Sequence, residues 1–301
     1  MGPTSSGKTD LALTLSEHLP CDIVSVDSAM VYRDMNIGTA KPDKETLARY
    51  PHRLIDICDP AENYSAADFC DDATREIQAI LKTDRIPLLV GGTMLYFRAL
   101  QQGLSNLPSA DPTIRAQLNA RAAEQGIAAL YAHLQAIDPV AASRIRPTDP
   151  QRIQRALEVY ELTGKPLSEL QGHAIAAPQD WQFINLALMP ADRQALHAAI
   201  SSRFHTMLEH GLIAEVKTLY ERGDLNLDKP SMRAVGYRQV WQYLEGTISQ
   251  AEMCETAIAA TRQLAKRQMT WLRKWPAAHY FLPGKNLPPH LLDQVLPLLL
   301  R

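Results

Sequence analysis

Apolar positions near the start of the chain fall into two spacings. Leu11, Leu15 and Leu19 recur every fourth residue, which predicts a helix with one buried stripe. The run "CDIVSVDS" is short and β-branched, and it predicts a buried strand with Asp27 at its carboxyl end. "HRLIDICDP" predicts a second strand, ended by Pro60. Residues 65–82 return to helical spacing, with Ser65 placed to cap the first turn. "IPLLVGGT" predicts a third strand running into Gly91, Gly92 and Thr93.

Strands alternating with helices predict a parallel sheet, whose ligands bind beyond the carboxyl ends of the strands. The pattern changes from about Leu107. Residues 113–171 show helical periodicity and no clear strand, which predicts a helical insertion. "DWQFINLALMP" reads as a return strand, residues 191–275 as helices, and 276–301 as a proline-punctuated tail. The expected organisation is a first core segment over 1–110, an insertion over 111–180, and a second core segment over 181–301.

Before the first helix, Gly2, Pro3, Thr4, Ser5, Ser6, Gly7, Lys8 and Thr9 fit the phosphate-loop pattern G-x-x-x-x-G-K-[ST]. Such a loop turns backbone N–H groups inward, and the following helix adds positive potential. Lys8 would reach a terminal phosphate and Thr9 would hold Mg²⁺. The pattern specifies a polyphosphate without specifying ATP. A phosphate loop joins a strand to a helix. A strand is therefore expected upstream of Gly2, where this sequence has only Met1.

Asp27 admits two readings, a turn cap, or a general base or Mg²⁺ ligand in the crevice beside the loop. Thr93 is either a helix cap or a crevice residue to which Gly91 and Gly92 allow close backbone approach. Arg144, Arg146, Arg152 and Arg155 cluster in "RIRPTDPQRIQRALEV", which alone reads as a solvated helix face. "SMRAVGYRQVW" sets Arg233 and Arg238 around a glycine and an aromatic.

Composition narrows the partners. The 301 residues are 46% hydrophobic and 21% charged, with net charge −2, which argues against a generic nucleic-acid binder. Residues 262–275 depart from that average: "RQLAKRQMTWLRKW" contains basic residues and no acid. At about 100° per residue, Arg262, Lys266 and Arg273 fall within about 40° of one another. Leu264, Trp271 and Trp275 fall on the opposite side, so one face is expected to pack while the other meets phosphates. The scattered Cys21, Cys58, Cys70 and Cys254 form no C-x-x-C pair. No run of about 18 apolar residues is present, and no secretory signal pattern, so a cytoplasmic location is the expectation.

Together, "GPTSSGKT", "DSAMVYRDMNIGTAKP", "HRLID", "YSAADF", "LLVGGTMLY", "RIRPTDPQRIQRALEV", "PSMRAVGYRQVWQYLEG" and "ATRQLAKRQMTWLRKW" closely resemble the tRNA dimethylallyltransferase (tRNA isopentenyltransferase) family. The resemblance implies an α/β fold, a P-loop NTPase-like parallel sheet flanked by helices with a helical insertion domain. It implies transfer of a dimethylallyl group from dimethylallyl diphosphate to N6 of the adenosine just 3′ of the tRNA anticodon, with Mg²⁺ as cofactor. Lys8, Asp27 and Thr93 would be catalytic, and residues 2–9 would bind the diphosphate. The tRNA anticodon stem-loop would be contacted by Asp27, Ser28, Ala29, Met30, Thr93 and Arg115. Gln151, Arg152, Ile153, Gln154 and Arg155 would contact it too, as would Arg233, Gly236, Tyr237, Arg238, Lys266, Arg267 and Arg273. No protein partner and no membrane are implied. The residues alone leave two rivals: a P-loop small-molecule kinase, which has no need of the basic C-terminal helix or "RAVGYR", and an RNA-binding module with a vestigial loop.

Overall fold

The computed structural model describes residues 1–105, 107–171, 174–175, 181–282 and 297. Most of the tail, and Asp180 at the head of the expected return strand, lie outside them. The chain divides into two compact units, one of Met1–Leu100 with Trp181–Arg301 and one of Gln101–Asp180.

The first unit opens with the phosphate-loop segment and then α1 (Lys8–His18), β1 (Cys21–Val26), α2 (Lys44–Arg49), β2 (His52–Arg53), α3 (Ala66–Leu81), β3 (Ile86–Gly91) and α4 (Met94–Gln102). β1 pairs in parallel with β2 on one side and β3 on the other, from Cys21 opposite Ile86 to Val26 opposite Gly91. The expected second strand is thus reduced to two residues. Leu54 and Asp56 take φ of 63° and 57°, and that left-handed backbone cannot continue a strand.

The predicted cap of α3 is present. Ser65 Oγ accepts from the Asp68 N–H, and the Asp68 carboxylate accepts from the Ser65 N–H, which closes a capping box. Phe69, Ala73, Ile77 and Ile80 of α3 pack with Val24 and Val26 of β1 in one buried cluster. Gly91 must lack a Cβ, because one would lie 2.0 Å from the Val26 carbonyl across the ladder.

The second unit contains β4 (Leu104–Ser105), α5 (Pro112–Ile137, broken at Gly126), α6 (Pro139–Ala142), α7 (Pro150–Thr163), α8 (Leu167–Leu170) and β5 (Ala174–Ile175). The antiparallel β4–β5 pair was not foreseen; its two strands flank the stretch 113–171 that reads as helical. Two residues a side give a periodic pattern too little length to register. Its core gathers Leu118, Leu130, Leu134, Ile153 and Leu157. Two described carboxylates of this unit are buried too, Asp138 and Glu158. Glu158 is 0% exposed and pairs with Arg115 and Arg155 at 2.9 Å each.

The chain returns to the first unit through β6 (Asn185–Leu188), α9 (Arg193–Glu209), α10 (Leu212–Tyr220), α11 (Tyr237–Leu244), α12 (Gln250–Leu272) and β7 (Ala278–Phe281). β7 pairs in parallel with β6, giving order to part of a tail that the sequence left unread. Met1 also lies on β6: its amino group donates to Leu186 O, and its carbonyl accepts from Leu188 N.

On α12 the packing face is rotated from the one expected. Ala265, Gln268, Met269 and Leu272 are buried, and so is Trp275 just beyond the helix, as expected, whereas Leu264 and Trp271 only flank that stripe. Arg262 borders it on the other side, with Nε buried and without a hydrogen-bond partner.

Removing the buried Glu158 carboxylate should destabilise the second unit. Glu158→Ala leaves two guanidiniums and the Asp111 N–H without their acceptor. Both arginines reach solvent, so the expected loss is about 2–4 kcal/mol. Chemical denaturation measures it, and an unchanged midpoint would contradict the role given to this network.

Candidate active site

The loop from Gly2 to Gly7 wraps in front of α1. Gly7 occupies the N-cap in the left-handed region, φ 76°, and no side chain caps the first turn. The leading N–H groups of α1 are therefore open to an anion. Close packing fixes the loop's path. A Cβ on Gly2 would lie 2.6 Å from Ser6 Oγ, and Ser5 turns with φ 58°. The Ser5 and Ser6 hydroxyls are buried without a partner, which is unusual for a buried polar group unless a ligand completes it.

Beyond the loop lies a crevice of about 560 Å³. It is lined by Thr4, Ser5, Lys8 and Thr9, by Asp27 to Met30, and by Gly91 to Leu95. α9 contributes Ile200, Arg203, Phe204 and Met207, the turn before α11 contributes Arg233 and Gly236, and α12 contributes Leu264, Arg267, Gln268 and Trp271.

Lys8, Asp27 and Arg203 act on one another here. Lys8 Nζ donates to the Pro3 carbonyl at 2.8 Å. Burial pulls the Lys8 ammonium down from its ordinary 10.5 to about 8, with Asp27 opposing that fall and Arg203 adding to it. Burial likewise lowers Arg203, again against the pull of Asp27. Two cations and one carboxylate within electrostatic reach leave positive charge in a partly desolvated space, which is a demand for an anion.

Asp27 satisfies its turn-capping reading with one oxygen. Oδ1 accepts from Ala29 N at 2.9 Å and from Met30 N at 3.3 Å. Those bonds orient the carboxylate and leave Oδ2 outside them. Thr93 does not use its hydroxyl as a helix cap. Its Oγ1 accepts from Ser28 N at 3.0 Å and donates to Ser28 Oγ at 3.3 Å, which ties the end of β3 to the end of β1.

Sequence reasoning missed two residues. Arg203 lies on the stripe Leu196, Ile200, Phe204 that α9 buries, and a charge on an apolar stripe was the available signal. Gln268 lies likewise on the buried stripe of α12. Its Oε1 accepts from Thr4 N at 2.9 Å and its Nε2 donates to Gly92 O at 2.9 Å.

The family model "IPP transferase" matches residues 30–275. The chain belongs to the IPP transferase family. A relative from Hahella chejuensis, named tRNA dimethylallyltransferase 2, is 58% identical over 293 residues, covering 93% of this chain and 88% of its own. A tRNA dimethylallyltransferase from Thioalkalivibrio sulfidiphilus is 60% identical over 276 residues, covering 92% and 86%. The solved full-length tRNA isopentenylpyrophosphate transferase of Bacillus halodurans is 36% identical, with TM-score 0.71, across 99% of this chain and 93% of that one. A eukaryotic dimethylallyltransferase solved acting on tRNA shares the fold at 24% identity, with TM-score 0.81, across 99% of this chain and 78% of that one. These neighbours bear out the α/β fold with a parallel sheet flanked by helices.

The sequence-derived site residues divide on inspection. Thr4, Ser5, Lys8, Thr9, Asp27, Ser28, Ala29, Met30, Thr93, Arg233, Gly236 and Arg267 line the crevice. Gly2, Pro3, Ser6 and Gly7 shape the loop behind it. Lys266, Arg273 and Arg238 are exposed. Two expected RNA contacts are corrected. Tyr237 is wholly buried with its hydroxyl on Glu215, and Ile153 is wholly buried in the core of the second unit, so neither side chain is open to RNA. In that unit Gln151 and Arg152 are exposed. Arg115 and Arg155 are committed to Glu158, and Gln154 bonds Asn119 Oδ1 and Arg115 O. No helix among the described residues is long and apolar enough to cross a membrane.

The lowered Lys8 sets a pH dependence. An anion binds best to the charged ammonium, so affinity for a diphosphate monoester should be full below the free-state value of about 8. It should fall as pH rises through that value and level off only once the bound-state value is passed. Titrations from neutrality to mildly alkaline pH test this. Lys8→Arg should remove the inflection, and a flat profile in the unsubstituted protein would contradict the assignment.

Proposed function

We propose that this protein transfers the dimethylallyl group of dimethylallyl diphosphate to N6 of the adenosine on the 3′ side of the tRNA anticodon, yielding N6-isopentenyladenosine and diphosphate. The observation that carries the reading is the convergence of Lys8, Arg203 and Asp27 on one crevice built on the phosphate loop, in a chain of the IPP transferase family. The relatives of 58% and 60% identity that are named tRNA dimethylallyltransferases support it.

In this reading the diphosphate lies across the loop and the N-terminus of α1, between the Lys8 ammonium and the Arg203 guanidinium. The allylic C1–O bond breaks, and its electron pair leaves with the diphosphate, where both cations oppose the growing charge. The N6 lone pair forms the new bond to C1. The N6 proton becomes acidic as that bond forms and passes to the Asp27 carboxylate, held in orientation by the Ala29 and Met30 N–H groups. Thr93, fixed on Ser28, shapes the wall against which the adenine is placed. The base must leave its stack to enter such a crevice.

Mg²⁺ fits the donor set. Thr9 Oγ1 offers a hydroxyl oxygen in the crevice, and Mg²⁺ commonly takes one or two protein oxygens besides phosphates and water. When bound, the ion would supply further charge neutralisation to the departing diphosphate.

RNA is held by cations rather than by base reading. Arg233 and Arg267 line the crevice, and Lys266 and Arg273 lie exposed on and just beyond α12. In the second unit, taken by itself, Gln151 and Arg152 are exposed polar groups suited to a phosphate backbone.

Two measurements test this reading. Asp27→Asn keeps size and hydrogen bonding but cannot accept the proton. It should leave donor and RNA affinity within a few-fold and slow single-turnover transfer by about 10²–10⁴. The assay contains no nucleotide; a strict need for ATP would favour the kinase reading, and wild-type rates in the variant would remove Asp27 from the mechanism. Separately, Lys266→Ala should weaken tRNA binding and make the slope of log affinity against log salt shallower by about one. An unchanged slope would mean that this cation meets only solvent.

A further inference from the structure

Gln268 is the one polar side chain of the α12 stripe that touches both sides of the phosphate-binding machinery. It is 8% exposed, and both ends of its amide are used. The partners fix which end is which. Thr4 N can only donate, so it faces Oε1. Gly92 O can only accept, so it faces Nε2. One amide therefore sets the distance between the phosphate loop, the end of β3 and α12. Gly92 is matched to it, since a Cβ there would lie 2.4 Å from Gln268 Nε2. The next residue after Gly92 is Thr93, whose hydroxyl holds Ser28. Of the two residues just before Gln268 in sequence, Arg267 lines the crevice and Lys266 is exposed on the same helix.

We propose that Gln268 is a positioning residue that transmits RNA binding on α12 to the phosphate loop, so that RNA and the diphosphate donor bind with positive coupling. This rests on the reading of the crevice given above. α12 is a single helix of 23 residues, so a polyanion gripped by Lys266 and Arg267 loads the turn that bears Gln268. The amide passes that load to Thr4, which steadies the loop in the form the diphosphate needs. A loop already steadied by RNA has less freedom left to lose when the donor arrives, and that difference is the source of the coupling.

The test measures binding of a non-reactive thio-analogue of dimethylallyl diphosphate by calorimetry, with and without a synthetic anticodon stem-loop. The proteins are wild type, Gln268→Leu, Gly92→Ala, Gln268→Ala and the Gly92→Ala/Gln268→Ala double variant. In wild type the stem-loop should tighten donor binding by about fivefold or more. Gln268→Leu keeps the volume and loses both bonds. It should weaken donor binding by about tenfold and abolish the coupling, with stem-loop affinity in the absence of donor within about twofold. Gly92→Ala should reproduce this by displacing the amide. The double variant should lose no more than the worse single variant, because both act through the same contact.

Thermal melts report any general loss of structure, and Gly92→Ala carries the test if Gln268→Leu fails to fold. Retained coupling in a folded Gln268→Leu, or additive losses in the double variant, would overturn the inference and leave the donor site standing. Failure of the wild type to bind the donor at all would overturn both.

Discussion

The site depends on an electrostatic imbalance. Burial lowers both Lys8 and Arg203, Arg203 lowers Lys8 further, and Asp27 opposes the fall of both. One carboxylate does not neutralise two cations, and burial makes the remainder costly. Much of the surrounding structure serves to keep those three groups in place. The loop threads past Ser6 at a distance that only glycine allows at position 2, and the open N-terminus of α1 adds to the same field. Asp27 is fixed by two backbone N–H groups, and Thr93 ties its strand end to the next.

That imbalance suits a reaction whose leaving group is an anion and whose nucleophile is a neutral amine. In the proposed reaction the cations would act on the departing diphosphate, and the carboxylate on the proton that the amine must lose. The two tasks fall to different residues, so neither requires Asp27 to leave its turn. The apolar side chains that line the same crevice, Ile200, Phe204 and Leu264 among them, offer an isoprenoid group a surface free of competing nucleophiles.

Much of this was legible in the sequence because it rests on local rules. The phosphate loop, the helix after it, the Ser65 capping box and the strand ends at Asp27 and Thr93 all follow from nearby residues. What stayed hidden depends on distant contacts. Arg203 and Gln268 are polar residues on apolar stripes, and only the folded chain brings them to the loop. Glu215 shares that signature on α10: it accepts from the N–H groups of Asn36, Ile37 and Gly38 and from the Tyr237 hydroxyl. Tyr237 was misread for the complementary reason, since an aromatic between two arginines looks like a surface and is in fact core. The second strand was overextended because left-handed φ at Leu54 and Asp56 leaves no mark on hydropathy. The face of α12 was rotated because Leu264 and Trp271, though apolar, border the crevice instead of the core.

The most direct measurement is a crystal structure of the protein with a non-reactive thio-analogue of dimethylallyl diphosphate. The account predicts that Lys8 Nζ leaves the Pro3 carbonyl, now 2.8 Å away, and that diphosphate oxygens come within hydrogen-bond distance of both Lys8 and Arg203, with C1 facing Asp27. A structure in which Lys8 stays on Pro3, or in which the diphosphate binds without Arg203, would contradict it.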